Sequence, residues 1–207
     1  HRMAVFLCTH LGIDEGDRVA VLSFNRVEYI KLFFALSRLG AILVPLNFRL
    51  APAEFIYYLE DAAPKAIFFD KAHQESVDGF KGKIELKHYV CFDEDETVGQ
   101  ALPKVWPTLS KEPPPEVEIN PDDPQLIIYT SGTTGLPKGV ILTHGMLTWN
   151  AINTNLGWDL RSEDKTILHA AMFYTAGWNV YTLPIFYCRG VNILIKSFEA
   201  VLILNLI

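Results

Sequence analysis

Within ten residues, Thr130-Ser-Gly-Thr-Thr-Gly-Leu-Pro-Lys-Gly139, the chain places four hydroxyls, three glycines and one lysine. Glycines let backbone N–H groups approach a ligand closely and adopt positive φ, which builds an anion-holding nest. Hydroxyls add short donors, and Lys138 supplies a compact positive charge suited to phosphate. The polyphosphate of a nucleotide is the ligand such a loop suits. The spacing is not that of a Walker A loop: counted from Gly132, Pro137 stands where the second glycine belongs. Val140-Ile-Leu reads as strand, so no helix N-terminus is expected to point straight at the phosphates. A plain hairpin turn spans about two to five residues and needs one or two residues of this kind.

Two strand-like runs flank the loop, Gln125 to Thr130 and Gly139 to Thr143, and a helix is expected over 145–155. Beyond it, 165–170 reads as strand, 176–187 as helix and 191–195 as strand. The first ninety residues alternate in the same manner. A helix over 2–11 closes at Gly12, and Arg18 to Ser23 is a short β-rich run. Asn25 suits an N-cap, with Glu28 three residues on, for a helix that turns Val27, Ile30, Phe33 and Phe34 inward and ends at Gly40. The stripe Tyr29, Phe33, Phe34 reads as core. Strands follow at 41–44, 66–69 and 88–91, with a helix from Pro52 to about Asp61. This alternation predicts an α/β fold, a mainly parallel sheet with flanking helices. Three parts are expected: 1–92, a βαβ-type half; 93–124, an acidic and Pro-rich connector that adds no core element; and 125–207, the half carrying the phosphate loop.

Composition narrows the function classes. Of 207 residues, 50% are apolar and 20% charged, which excludes a disordered chain. Net charge is −6 and Lys and Arg form no long cluster, so nucleic acid is not an expected partner. Three cysteines, Cys8, Cys91 and Cys188, lack zinc-ligand spacing and read as free thiols of a reducing compartment. The acidic run Asp93-Glu-Asp-Glu96 is not an EF-hand, since Gly99 falls one place late and Lys104 stands where glutamate is required. No metal-ligand set is read from spacing. His10, His73, His88, His144 and His169 read as surface or satisfied core. No apolar run reaches the ~20 residues of a membrane span, and with no signal-peptide pattern a cytoplasmic protein is expected.

The stretch Tyr129-Thr-Ser-Gly-Thr-Thr-Gly-Leu-Pro-Lys-Gly-Val140 resembles the AMP-binding signature of the adenylate-forming superfamily. Gly16-Asp-Arg-Val19, Asn25 with Glu28-Tyr29, Gly40 to Asn47, Thr143-His144 and Thr175-Ala-Gly-Trp178 fall where that family has similar stretches, so the resemblance covers essentially the whole chain. It points to an acyl-CoA synthetase, towards medium- or long-chain fatty acids, with the chain as part of the large N-terminal domain. Aryl- or amino-acid adenylation is the enzymatic alternative, and a catalytically silent nucleotide-binding or interaction fragment the non-enzymatic one.

The resemblance implies ATP with Mg2+, coenzyme A as co-substrate and a small-molecule carboxylate. Thr130, Ser131, Gly132, Thr133, Thr134, Gly135 and Lys138 would bind the ATP phosphates. Tyr174, Gly177 and Trp178 would line the acyl and CoA side, Trp178 as a movable wall. Ala171 replaces the family's usual proline, and Tyr174 its frequent histidine, so a role requiring imidazolium has no bearer at 174. The family's later catalytic stretches have no counterpart here, so these residues alone are expected not to complete the reaction. Partners implied are the C-terminal portions of the same enzyme; a homodimer is left open.

Overall fold

The structure is a computed structural model that describes residues 1–93, 99–106, 109–110, 112–130 and 135–207. Its centre is a seven-stranded sheet of order β5-β4-β3-β1-β2-β6-β7. The strands are β1 Arg18–Leu22, β2 Ile42–Pro45, β3 Ala66–Phe69, β4 His88–Cys91, β5 Gln100–Ala101, β6 Pro124–Thr130 and β7 Lys138–Thr143. All neighbours run parallel except β6 and β7, which form an antiparallel hairpin. The α/β, mainly parallel reading of the sequence therefore holds.

Strands covered on both faces should be apolar throughout rather than alternating. β1 obeys: Val19 to Leu22 are all buried. Its alternate residues divide the core in two. Val19 and Val21 face a cluster built with Tyr29, Leu32, Phe33 and Leu36, while Ala20 and Leu22 face Phe55, Leu59, Val77 and Phe80. The first cluster belongs to α1 (Arg2–Val5, continued by a π-helical turn Phe6–His10) and α2 (Val27–Arg38). The second belongs to α3 (Pro52–Ala62) and α4 (Gln74–Phe80).

Three details depart from the sequence reading. α2 begins one residue later than expected, with Arg26 at the cap and no side-chain capping bond. Its buried face is Tyr29, Leu32, Phe33, Ala35 and Leu36, which leaves Val27 and Phe34 exposed. The stripe that faces the core runs through Tyr29, Leu32, Phe33 and Leu36, so Phe34, about 100° round the helix from Phe33, flanks the core instead of entering it. Third, the 93–124 stretch supplies β5 to the sheet edge and a turn of helix, α5 (Leu102–Val105). Glu94, Asp95 and Glu96 of the acidic run lie outside the described residues.

After the hairpin come α6 (His144–Trp158), β8 (Lys165–Leu168), a π-helical segment Gly177–Thr182, α7 (Leu183–Tyr187), β9 (Val191–Leu194) and α8 (Ala200–Leu206). Thr143 caps α6, its hydroxyl accepting the Met146 N–H at 3.2 Å. β8 and β9 pair in parallel as a separate two-stranded sheet. Among the described residues no helix is long and apolar enough to cross a membrane.

Candidate active site

In open parallel sheets, ligands bind beyond the carboxyl ends of the strands, because the loops there converge on a crevice. β6 runs parallel to β2, so its last residue, Thr130, lies at that edge; Lys138, first in β7, is its register partner. Both are exposed, and Lys138 has no ion-pair partner among the described residues. Gly135 takes φ +95°, a backbone conformation that L side chains rarely adopt. Ser131, Gly132, Thr133 and Thr134 lie outside the described residues. The strand ends that bracket the loop, Thr130 and Lys138, thus lie at the carboxyl edge of the sheet, and the strand β7, not a helix, follows it in the chain.

The hairpin is packed against α3. Tyr58 stacks on Tyr129 with ring centroids 4.5 Å apart and planes 11° apart. The Tyr129 hydroxyl donates to Asp61 Oδ2 at 2.5 Å, and the Tyr57 hydroxyl donates to the Pro137 carbonyl at 3.0 Å. Burial and the Asp61 carboxylate push the Tyr129 phenol well above its ordinary pKa, so it stays a donor. Gly139 has no room for a side chain: a Cβ there would lie 2.9 Å from Ile127 Cγ2 and 3.4 Å from Tyr129 Cζ.

A cavity of about 270 Å³ opens at the same edge. Its walls come from the ends of four strands: Asn25 after β1, Phe48 and Arg49 after β2, His169 after β8 and Lys196 after β9. Arg49 lies over the rings of Phe48 and Phe173, and Lys196 over Phe24 at 4.7 Å. Neither cation has a carboxylate partner among the described residues. In a chain of net charge −6, two free cations at one cavity favour an anionic ligand. The His169 Nδ1 sits 3.0 Å from the Ile167 carbonyl, which makes it the protonated nitrogen, and Nε2 is 3.5 Å from the Tyr181 hydroxyl.

Of the three residues expected on the acyl and CoA side, the cavity takes Tyr174 alone, which is 47% exposed. Trp178 is fully buried, stacked on Phe33 at 4.3 Å, with its indole N–H donating to the Met172 carbonyl at 2.7 Å. In this structure it packs in the core and does not line the cavity. Gly177 backs the same turn: a Cβ would meet Ala171 O and Met172 Cα at 3.0 Å. Sequence reasoning did not single out Arg49 or Lys196, which carry no motif spacing, and read His169 as surface or satisfied core; the three meet only through tertiary packing. The nearest signal was the position of Arg49 just beyond the Gly40–Asn47 stretch.

Comparison with known proteins bears directly on this edge. A profile of the AMP-binding enzyme family matches residues 1–207. The chain belongs to the AMP-binding enzyme family. Among its relatives is a feruloyl-CoA synthase of Amycolatopsis, 34% identical over 188 residues, 91% of this chain and 35% of that protein. Another is the long-chain-fatty-acid–CoA ligase FadD13 of Mycobacterium tuberculosis, 34% identical over 200 residues, 96% of this chain and 39% of that protein. The ATP-bound MatB structure from Rhodopseudomonas palustris superposes with a TM-score of 0.85 at 27% identity, over 99% of this chain and 40% of that one. The chain thus spans a little over a third of the length of the curated relatives it matches.

Proposed function

We propose that this chain supplies the nucleotide-phosphate part of an ATP-dependent acyl-CoA synthetase. A carboxylate oxygen attacks the α-phosphorus of ATP, giving acyl-AMP and pyrophosphate. The thiol of coenzyme A then attacks the acyl carbon, and AMP and the thiol proton leave. The observation that carries this reading is the hairpin tip of an AMP-binding enzyme chain, with Thr130 and Lys138 paired at the carboxyl edge of the parallel sheet. In this scheme the stretch from Thr130 through Ser131, Gly132, Thr133, Thr134 and Gly135 to Lys138 holds the departing phosphates and stabilises their developing charge.

Magnesium enters on the ATP phosphates. An ion of this kind is held mainly by substrate phosphates and water. Arg49, Lys196 and Tyr174 line the side from which the phosphorylated co-substrate coenzyme A would approach. Further segments of a longer enzyme would cover apolar surface such as Trp149, Leu156 and Leu204, which are exposed here.

The carboxylate is read as a medium- or long-chain fatty acid, with an aryl acid second because the feruloyl-CoA synthase is as similar as the fatty-acid ligase. The test assays the full-length protein with octanoate, palmitate, ferulate and phenylalanine, following AMP and thioester. Carboxylate-dependent AMP together with acyl-CoA from octanoate or palmitate is expected. Turnover of ferulate alone would move the substrate to the aryl class. ADP as the nucleotide product, or no carboxylate-dependent AMP, would overturn the reading.

A further inference from the structure

α3 touches both limbs of the phosphate hairpin. Asp61 takes the Tyr129 hydroxyl, one residue before Thr130, and Tyr57 donates to the carbonyl of Pro137, one residue before Lys138. Tyr57 and Asp61 are four apart on the helix and so share a face. Neither lies in the signature stretch 129–140, and neither contact is visible from sequence spacing, since partners are 68 and 80 residues apart.

The helix that makes these contacts is firmly held. Phe55, Leu59 and Ala62 are buried in the core, and the Glu54 carboxylate accepts the Ala51 N–H at 2.8 Å. At the far end Arg18 donates to the Ala62 and Ala63 carbonyls, both at 2.9 Å. On the hairpin side, the Tyr129 ring lies against Gly139, where no side chain fits. The two limbs are therefore fixed to a rigid element outside the hairpin as well as to each other.

We propose that Tyr57 and Asp61 are positioning residues for the phosphate loop, holding both limbs of the β6–β7 ladder against α3 so that Thr130 and Lys138 are presented to one polyphosphate together. The proposal rests on the reading of that loop as the ATP-phosphate cradle. It has a specific consequence: the brace serves the adenylation step and not the thioester step, because pyrophosphate has left before the thiol attacks.

The experiment uses the full-length enzyme with Tyr57→Phe, Asp61→Ala, Asp61→Asn and Lys138→Ala. Each is measured for carboxylate-dependent ATP–pyrophosphate exchange and for thioester formation from chemically prepared acyl-AMP. Tyr57→Phe is expected to lower the exchange kcat about 5- to 10-fold, the rate equivalent of one neutral hydrogen bond, and Asp61→Ala about 10- to 100-fold, because its bond is to a carboxylate. Thioester formation from acyl-AMP stays within about twofold, the fold-change that separates positioning from general instability. Asp61→Asn, which keeps an acceptor for Tyr129, retains exchange. Equal losses in both half-reactions would overturn the brace, as a merely structural role does that. Exchange unchanged in Tyr57→Phe and Asp61→Ala but depressed in Lys138→Ala would overturn the brace and leave the cradle standing. Exchange unchanged in all four variants would overturn both.

Discussion

Asp70 follows the last residue of β3 and is surrounded by donors. Its carboxylate receives the Phe24 N–H at 2.9 Å, the Ser23 hydroxyl at 3.1 Å and His73 Nδ1 at 2.5 Å. Burial alone would raise its pKa, but these hydrogen bonds, His73 foremost, outweigh burial and hold the carboxyl below its ordinary value of 3.8. A group whose pKa is lower folded than unfolded favours the fold wherever the unfolded carboxyl is ionised, and that contribution fades as pH falls through the folded value. The urea midpoint should therefore drop as pH falls below about 4, beyond the loss seen in Asp70→Asn. At neutral pH, Asp70→Asn should cost about 1–3 kcal/mol. Parallel midpoint-versus-pH curves for the two proteins would refute this. His73, read from sequence as surface or satisfied core, is satisfied core: it packs on Phe24 and Phe48, which in turn support Lys196 and Arg49. Nothing in the sequence joins Ser23 to Asp70, because the link exists only after β1 and β3 have paired.

Elements with strong period were legible, and their mutual arrangement was not. The β1–α2–β2–α3–β3 alternation follows from apolar runs of four or five residues separated by amphipathic helices, and the strand bounds differ from expectation by a residue or so. The signature hairpin was legible as two strands around a loop. Asn25 shows the limit. It suits an N-cap by residue type, yet its side chain donates to the Ala170 carbonyl at 2.9 Å and accepts the Met172 N–H at 3.0 Å. Local capping lost to a partner 145 residues away that satisfies buried backbone groups. The residue thereby fastens the segment bearing Tyr174 to the end of β1. Asn25→Ala should cost about 2–4 kcal/mol by leaving those two groups unpaired. Hydrogen exchange should show the loss of protection concentrated in 165–195, with β1 to β3 protected as before. Uniform loss across both sheets would argue against this docking role.

At the scale of the molecule, one edge collects the residues proposed for the chemistry. The seven-stranded sheet and the small β8–β9 sheet both turn strand ends towards it, bringing Arg49, Lys138, Lys196, Tyr174 and His169 to a common side. Trp178, expected as a wall, instead ties the second sheet to α2 through Phe33 and Tyr29. Its burial could not be read from Gly177-Trp178 alone, because the π-helical turn sets which way the indole points. What the sequence made legible here was the pair of strands flanking the 130–138 stretch, while the cationic cavity depends on four strand ends meeting. The central claim is that this loop handles the phosphates of ATP, and Lys138 is its only cation. The most direct measurement is carboxylate-dependent ATP–pyrophosphate exchange by the full-length enzyme and its Lys138→Ala variant. A fall of roughly 10²-fold is predicted, the size expected for one electrostatic contact to the departing charge; exchange within about twofold of the unsubstituted enzyme would contradict the account.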